Sequence, residues 1–306
     1  MIRGKIRNLR DKSPLGGLIT LPFSILCSLG IPVPHALYQH LPFRGELTVA
    51  LPEGMEFRML SRGEALENGL YWRGIAGWEP EWLPVWLALC QSARGVVDIG
   101  ANTGLYSLMG AAANPKALIK AFEPVSRIAD RLEENIKLNH FENVAVFRCA
   151  IGETSGEVQL YDPGADIPYS ASIDPNFLYG RDASYKSHGS VYPVSLRTLD
   201  DVLSSETIPT DLVKVDAEGV EIQVLRGAAR TLVRWQPTLL LEYLKSGTEL
   251  DTLIGDMMKR GYRLFHPGRV GLREIFEPRP ASDSWNVLLH HKERPLPSSI
   301  QVETSQ

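Results

Sequence analysis

The pattern of apolar and polar positions changes character near residue 95. Before that point, residues 46–51 and 55–60 are short strand-like runs flanking the turn signal Pro52-Glu53-Gly54, and they predict a small hairpin. Residues 79–91 carry Trp82, Val85, Trp86 and Leu89 at helical spacing, with Pro80 near the start where proline is tolerated. From Gly95 onward short apolar runs alternate with helix-length segments, which signals a parallel sheet with helices on its faces. Strands are expected at 96–99, 118–122, 144–149, 212–215, 238–242, 262–265 and 285–290, and helices at 105–113, 126–140, 220–233 and 249–260. The alternation stops between residues 162 and 190, a polar, turn-rich stretch with Tyr169, Phe177, Tyr179, Tyr185 and His188 scattered through it. A loop this long in a compact domain is usually functional or disordered, and its flanks, 157–161 and 191–196, are expected to pair as strands. The implied organisation is an N-terminal appendage of helices and a hairpin over 1–92, an α/β domain over 93–292 and a flexible tail over 293–306.

Composition narrows the partners. Of the 306 residues 44% are hydrophobic and 22% charged, enough to bury a substantial core. A net charge of -4 gives no reason to seek a polyanion, so nucleic acid is not an expected partner. Cys27, Cys90 and Cys149 form no C-x-x-C pair and read as reduced thiols in a cytoplasmic protein. At the N-terminus Arg3, Lys5, Arg7, Arg10 and Lys12 precede an apolar run at 18–31, which imitates a signal peptide. Pro22 interrupts that run, it is shorter than the roughly 20 residues a spanning helix needs, and no A-x-A-like site follows. The expected reading is a helix packed on the catalytic domain, with peripheral contact to an anionic membrane surface as the alternative.

Three stretches carry chemistry. The first is Val96-Val97-Asp98-Ile99-Gly100-Ala101-Asn102-Thr103-Gly104, an apolar strand running into a glycine turn and a helix, where ligands sit in such sheets. Gly100 permits the tight turn, Gly104 lets the helix pack close to the sheet, and the N–H groups at the helix start can receive a carboxylate. A nicotinamide fingerprint would place glycine where Asn102 stands, so a pyrophosphate fits poorly and an NAD(P)-dependent oxidoreductase is disfavoured. A nucleoside carrying an amino acid has no phosphate, and Asp98 would suit its ammonium group. The second stretch is Phe122-Glu123-Pro124, about 20 residues further on, the spacing of a ribose-binding acid. Cys149 and Ala150 are expected to end the third strand, with little side-chain bulk to obstruct a flat base. The third stretch, from Leu212 through Lys214, Asp216, Ala217 and Glu218 to Glu221, puts carboxylates at a strand's C-terminal end. Strand alternation sets Lys214 and Asp216 on one face, so the carboxylate can neutralise the lysine, and Glu221 reads as a first-turn dipole residue. Asp216, Glu218 and Glu242 together would suit magnesium, a weaker reading than one with no metal.

DIGANTG, FEP, CAIG, LVKVDAEGVEIQVLRGA, PTLLLEY and WNVLLH occur in this order between about residues 78 and 290, and the combination resembles the FkbM family of class I methyltransferases. The resemblance implies a doubly wound, Rossmann-like sheet of seven strands with the last antiparallel, S-adenosylmethionine as cofactor, and O-methylation of a hydroxyl on a sugar, glycolipid or secondary metabolite. By position, Asp98, Gly100, Ala101, Asn102, Thr103 and Gly104 would hold the methionine part, Glu123 the ribose, and Cys149 and Ala150 the adenine edge. Asp216 and Glu218 would stand at the reacting end, with His188 from the long loop as a base better matched to neutral pH. The aromatic loop suggests a carbohydrate or other small-molecule acceptor. A non-catalytic nucleoside-binding subunit is the alternative from another class.

Overall fold

The computed structural model describes residues 34, 38–164, 171–174, 189–245, 247–282 and 284–303. The N-terminal basic and apolar segment, with its membrane-contact expectation, lies outside the described residues, as does His188. Among the described residues no helix is long and apolar enough to cross a membrane. The chain divides into two compact units, Met1–Pro80 and Glu81–Gln306.

In the first unit the expected hairpin forms from β1 (Gly45–Ala50) and β2 (Glu56–Ser61), paired antiparallel. Leu47, Val49, Phe57 and Met59 are buried, as period-two alternation requires. Helix α1 (Ala65–Arg73) follows, and its Asn68 and Trp72 side chains hydrogen-bond the carbonyls of Tyr38 and Leu41.

The second unit begins with α2 (Leu83–Cys90). This helix therefore belongs with the α/β unit rather than with the appendage, because its apolar residues, Trp86 among them, and the preceding Trp82 are buried there and the Trp86 indole donates to the Tyr106 carbonyl. Strands and helices then alternate: β3 (Gly95–Ile99), α3 (Leu105–Ala113), β4 (Leu118–Phe122), α4 (Ser126–Leu138) and β5 (Val144–Phe147). After a small three-stranded sheet and the short α5 (Leu199–Val202) come β9 (Leu212–Val215), β10 (Thr238–Glu242), α8 (Glu249–Lys259), β11 (Tyr262–Pro267), β12 (Leu272–Ile275), β13 (Asn286–His291) and β14 (Val302–Glu303).

The large sheet has the order β14-β12-β11-β13-β10-β9-β3-β4-β5. It is Rossmann-like, but among the described residues it holds nine strands, not seven: β12 and β14 extend the edge beyond β11. The strand β13 is antiparallel to both β10 and β11, and it is not the last in the chain. From β3 the chain runs outward to β4 and β5, then returns to the other side of β3 with β9 and β10. That reversal makes a topological switch point at the C-terminal ends of β3, β4 and β9, the place where such sheets bind ligands.

The small sheet consists of β6 (Ala150–Ile151), β7 (Gly156–Asp162) and β8 (Ser190–Arg197), with β7 and β8 paired antiparallel as expected of the loop's flanks. The third strand of the large sheet accordingly ends at Phe147, short of Cys149, and Ala150 already pairs with β8. The helix expected over 220–233 is two helices, α6 (Glu221–Arg226) and α7 (Ala229–Trp235). The break is made from a distance: the Gly227 carbonyl accepts the Asp200 N–H, while the Asp200 carboxylate caps α7 by accepting from the N–H groups of Arg230 and Thr231. The tail is also more structured than its Pro- and Ser-rich composition suggests. Strand β14 pairs with β12, and Glu303 accepts from the Val270 N–H at 2.9 Å.

Candidate active site

The first turn of the site follows directly from β3. Gly100, Asn102 and Gly104 all have left-handed backbone, with φ of 77°, 49° and 102°. A Cβ on Gly100 would lie 1.9 Å from the Asp216 carbonyl oxygen, and one on Gly104 would lie 2.4 Å from Leu132 Cδ1. Glycine therefore lets the tips of β3 and β9 touch and lets α3 close on α4. Asn102 tolerates its conformation because its Oδ1 accepts from the Thr103 N–H at 2.8 Å. Ala101 and Thr103 are buried within the turn, and Asn135 from α4 holds the Thr103 carbonyl at 2.9 Å.

Glu123, one residue beyond β4, is locked to that turn. Its Oε2 accepts from the Asn102 N–H at 3.0 Å and its Oε1 from the Val125 N–H at 2.9 Å. Burial pushes its pKa up to about 7, against the pull of those two N–H groups and of Arg127. Each carboxylate oxygen keeps a lone pair for a further donor. Beside it Phe122 stacks on Phe147 at 4.8 Å, and beyond Phe147 both Cys149 and Ala150 are buried where the chain crosses between the two sheets.

One face of the central strands is polar. Asp98 and Lys214 are register partners, as are Lys214 and Leu240, so alternation sets Asp98, Lys214, Asp216 and Glu242 on the same side. Val97, Ile99, Val213, Val215, Leu239 and Leu241 fill the core on the other. As the sequence suggests, buried Lys214 is neutralised by Asp216, with Nζ 2.7 Å from Oδ2, and it also lies 4.6 Å from the centre of the Tyr106 ring. Asp98 is more enclosed than the sequence implies: Oδ2 accepts from the Ser107 hydroxyl at 2.7 Å, while Oδ1 is buried without a hydrogen-bond partner among the described residues. Burial raises its pKa, with the Lys214 charge opposing.

The turn after β9 gathers further carboxylates. Glu218 and Gly219 have φ of 55° and 98°, and for a glutamate that conformation is strained. Glu221 holds the turn in shape, accepting from the Ala217 N–H at 3.1 Å and the Gly219 N–H at 3.0 Å, so it is a strut rather than only a dipole residue. Burial raises the Glu221 pKa, and the Asp216 charge adds to the rise. The Ser172 hydroxyl donates to the Glu218 carbonyl at 2.7 Å, which ties the described part of the long loop to the same turn. Sequence spacing gave no sign of that contact. Glu242 closes the group at the end of β10; its pKa is pushed up to about 10 by burial and then by the charges of Asp216, Glu221 and Glu218. Among the described residues no three His, Cys, Asp or Glu side chains form a group that could hold a metal ion.

The profile of the Methyltransferase FkbM domain matches residues 98–264. The chain is 34% identical over 156 residues to Methyltransferase sdnD of Sordaria araneosa, covering 43% of this chain and 59% of that protein. It is 29% identical over 149 residues to 2-O-methyltransferase NoeI of Sinorhizobium fredii, covering 45% and 59%. The chain thus spans less than two thirds of the length of these curated relatives. Among solved structures, the methyltransferase FkbM from Methylobacillus flagellatus aligns with a TM-score of 0.42 and 17% identity, over 64% of this chain and 43% of that one.

Proposed function

This chain belongs to the FkbM methyltransferase family, and on that premise we propose that it transfers a methyl group from S-adenosylmethionine to a hydroxyl of a sugar, glycolipid or secondary metabolite. The observation that carries the reading is buried Glu123, fastened to the Asn102 N–H at the switch point with an unused lone pair on each oxygen. Such a carboxylate suits a ribose diol, and the turn from Gly100 to Gly104 beside it leaves no room-making glycine for a pyrophosphate. Asp98, with an orphaned Oδ1 at the same strand end, would back the methionine part, and Cys149 and Ala150 the adenine edge. Oxygen as the methylated atom is favoured by the relative named as a 2-O-methyltransferase.

The cofactor's sulfonium makes its methyl group electrophilic, so this chain's residues have mainly to align the acceptor oxygen and take its proton. An alcohol is too weak an acid to be ionised beforehand by a carboxylate, so the proton leaves as the new C–O bond forms. Asp216, held by Lys214 at the tip of β9, is the proposed proton acceptor, with Glu218 on the strained turn orienting the hydroxyl and His188 as an auxiliary base. The tether from Ser172 to the Glu218 carbonyl sets the described residues 171–174 against the same turn. Transfer of labelled methyl from S-adenosylmethionine to hydroxylated small molecules tests this; label found only on amines or proteins would count against it.

A further inference from the structure

At the tips of β9 and β10 the carboxylates are not equivalent. Asp216 has taken Lys214 as its partner, and Glu221 has taken two backbone N–H groups. Glu242 has neither: it is 6% exposed, and its Oε2 is buried with no hydrogen-bond partner among the described residues. The register pairs of β9 and β10 end at Val215 and Leu241, so Asp216 and Glu242 stand side by side, and Asn286 lies opposite Glu242 on β13. The groups that act on it are Asp216, Glu221 and Glu218, all acidic, against Lys214 alone. In so enclosed and so negative a place the neutral acid is the stable form, and a neutral carboxyl is a hydrogen-bond donor.

We propose that Glu242 stays protonated in order to donate a hydrogen bond to the acceptor molecule, and that this donor beside the accepting Asp216 selects acceptors with two adjacent hydroxyls. One hydroxyl points its hydrogen at Asp216 and is the one methylated; its neighbour accepts from Glu242. During transfer the O–CH3 bond forms as the CH3–S bond breaks, the hydroxyl proton passes to Asp216, and Glu242 keeps its own. The inference rests on the methyl-transfer reading above and extends it to the acceptor.

The test uses the full chain loaded with S-adenosylhomocysteine and titrated calorimetrically with methyl α-mannopyranoside, which has adjacent hydroxyls, and with cyclohexanol, which has one. The mannoside should bind the parent chain and Glu242→Gln alike, because the amide also donates, and about tenfold more weakly to folded Glu242→Ala. Cyclohexanol should bind more weakly than the mannoside and be indifferent to both substitutions. Infrared spectra at pH 8 should show the carbonyl stretch of an un-ionised carboxyl that Glu242→Gln lacks. Equal mannoside affinity in all three chains, no mannoside binding to the loaded chain, or no such stretch would each overturn the proposal. Failure of S-adenosylhomocysteine itself to bind would instead bring down the reading beneath it.

Discussion

The two ends of the central strands treat buried carboxylates in opposite ways. At the N-terminal end Asp211 is 7% exposed, and at the C-terminal end Glu242 is 6% exposed, so burial does not distinguish them. Asp211 receives hydrogen bonds from the Arg94 side chain and N–H and from Arg294. Burial works to raise its pKa, but the Arg94 hydrogen bonds and the two guanidinium charges hold it below the usual range. Glu242, Glu221, Glu123 and Asp98 at the other end are all raised, and the Lys214 ammonium answers more than one of them. One end is arranged for stability. The other holds acids raised by burial, two of which, Asp98 and Glu242, have a buried oxygen with no hydrogen-bond partner among the described residues, which costs stability and is the mark of a site built for chemistry.

The largest effect that would separate the two ends is on rate. Asp216→Asn keeps an oxygen for Lys214 but removes the charge that neutralises it, so it should lower the melting temperature as well as turnover, the latter by about 10²–10⁴-fold, with cofactor affinity nearly unchanged. A folded variant with undiminished turnover would remove Asp216 from the mechanism. Asp211→Ala should touch stability alone. It strips Arg94 and Arg294 of their shared partner and should cost about 2–3 kcal/mol, since both guanidinium groups keep access to water. Chemical denaturation reads that loss, and cofactor affinity should not move.

An effect of opposite sign is expected at Glu242. Its folded pKa of about 10 lies above the unfolded value of about 4.3, so its stabilising contribution is complete below about pH 4 and is lost as pH rises toward 10. Glu242→Gln should therefore raise the melting temperature at pH 8 and leave it unchanged near pH 4. A lower melting temperature at pH 8 would mean that the glutamate is ionised and paired.

Much of this fold was legible in the sequence because its strands and helices are locally consistent, and the glycine turn and Glu123 stand where spacing alone set them. What escaped depends on partners far apart in the chain. The Asp211 cluster joins residues 117 and 83 positions apart. The break between α6 and α7 is imposed by Asp200, not by any breaker that periodicity would weigh. The two added edge strands are short, and β14 lies within a segment whose composition reads as frayed. Glu242 attracts notice in the sequence only as a third carboxylate beside Asp216 and Glu218 that would suit a cation. Its significance comes from what is missing around it, and no single strand pattern records that.

The most direct measurement is a calorimetric titration of S-adenosylhomocysteine at pH 6 and pH 8, on the parent chain and on Glu123→Gln. If ionised Glu123 accepts both ribose hydroxyls, then with a free-state pKa of about 7 the parent chain should bind severalfold more tightly at pH 8 than at pH 6, and Glu123→Gln should bind weakly at both. Affinity independent of pH and untouched by the substitution would place the nucleoside elsewhere, and an absence of binding would contradict the methyltransferase account as a whole.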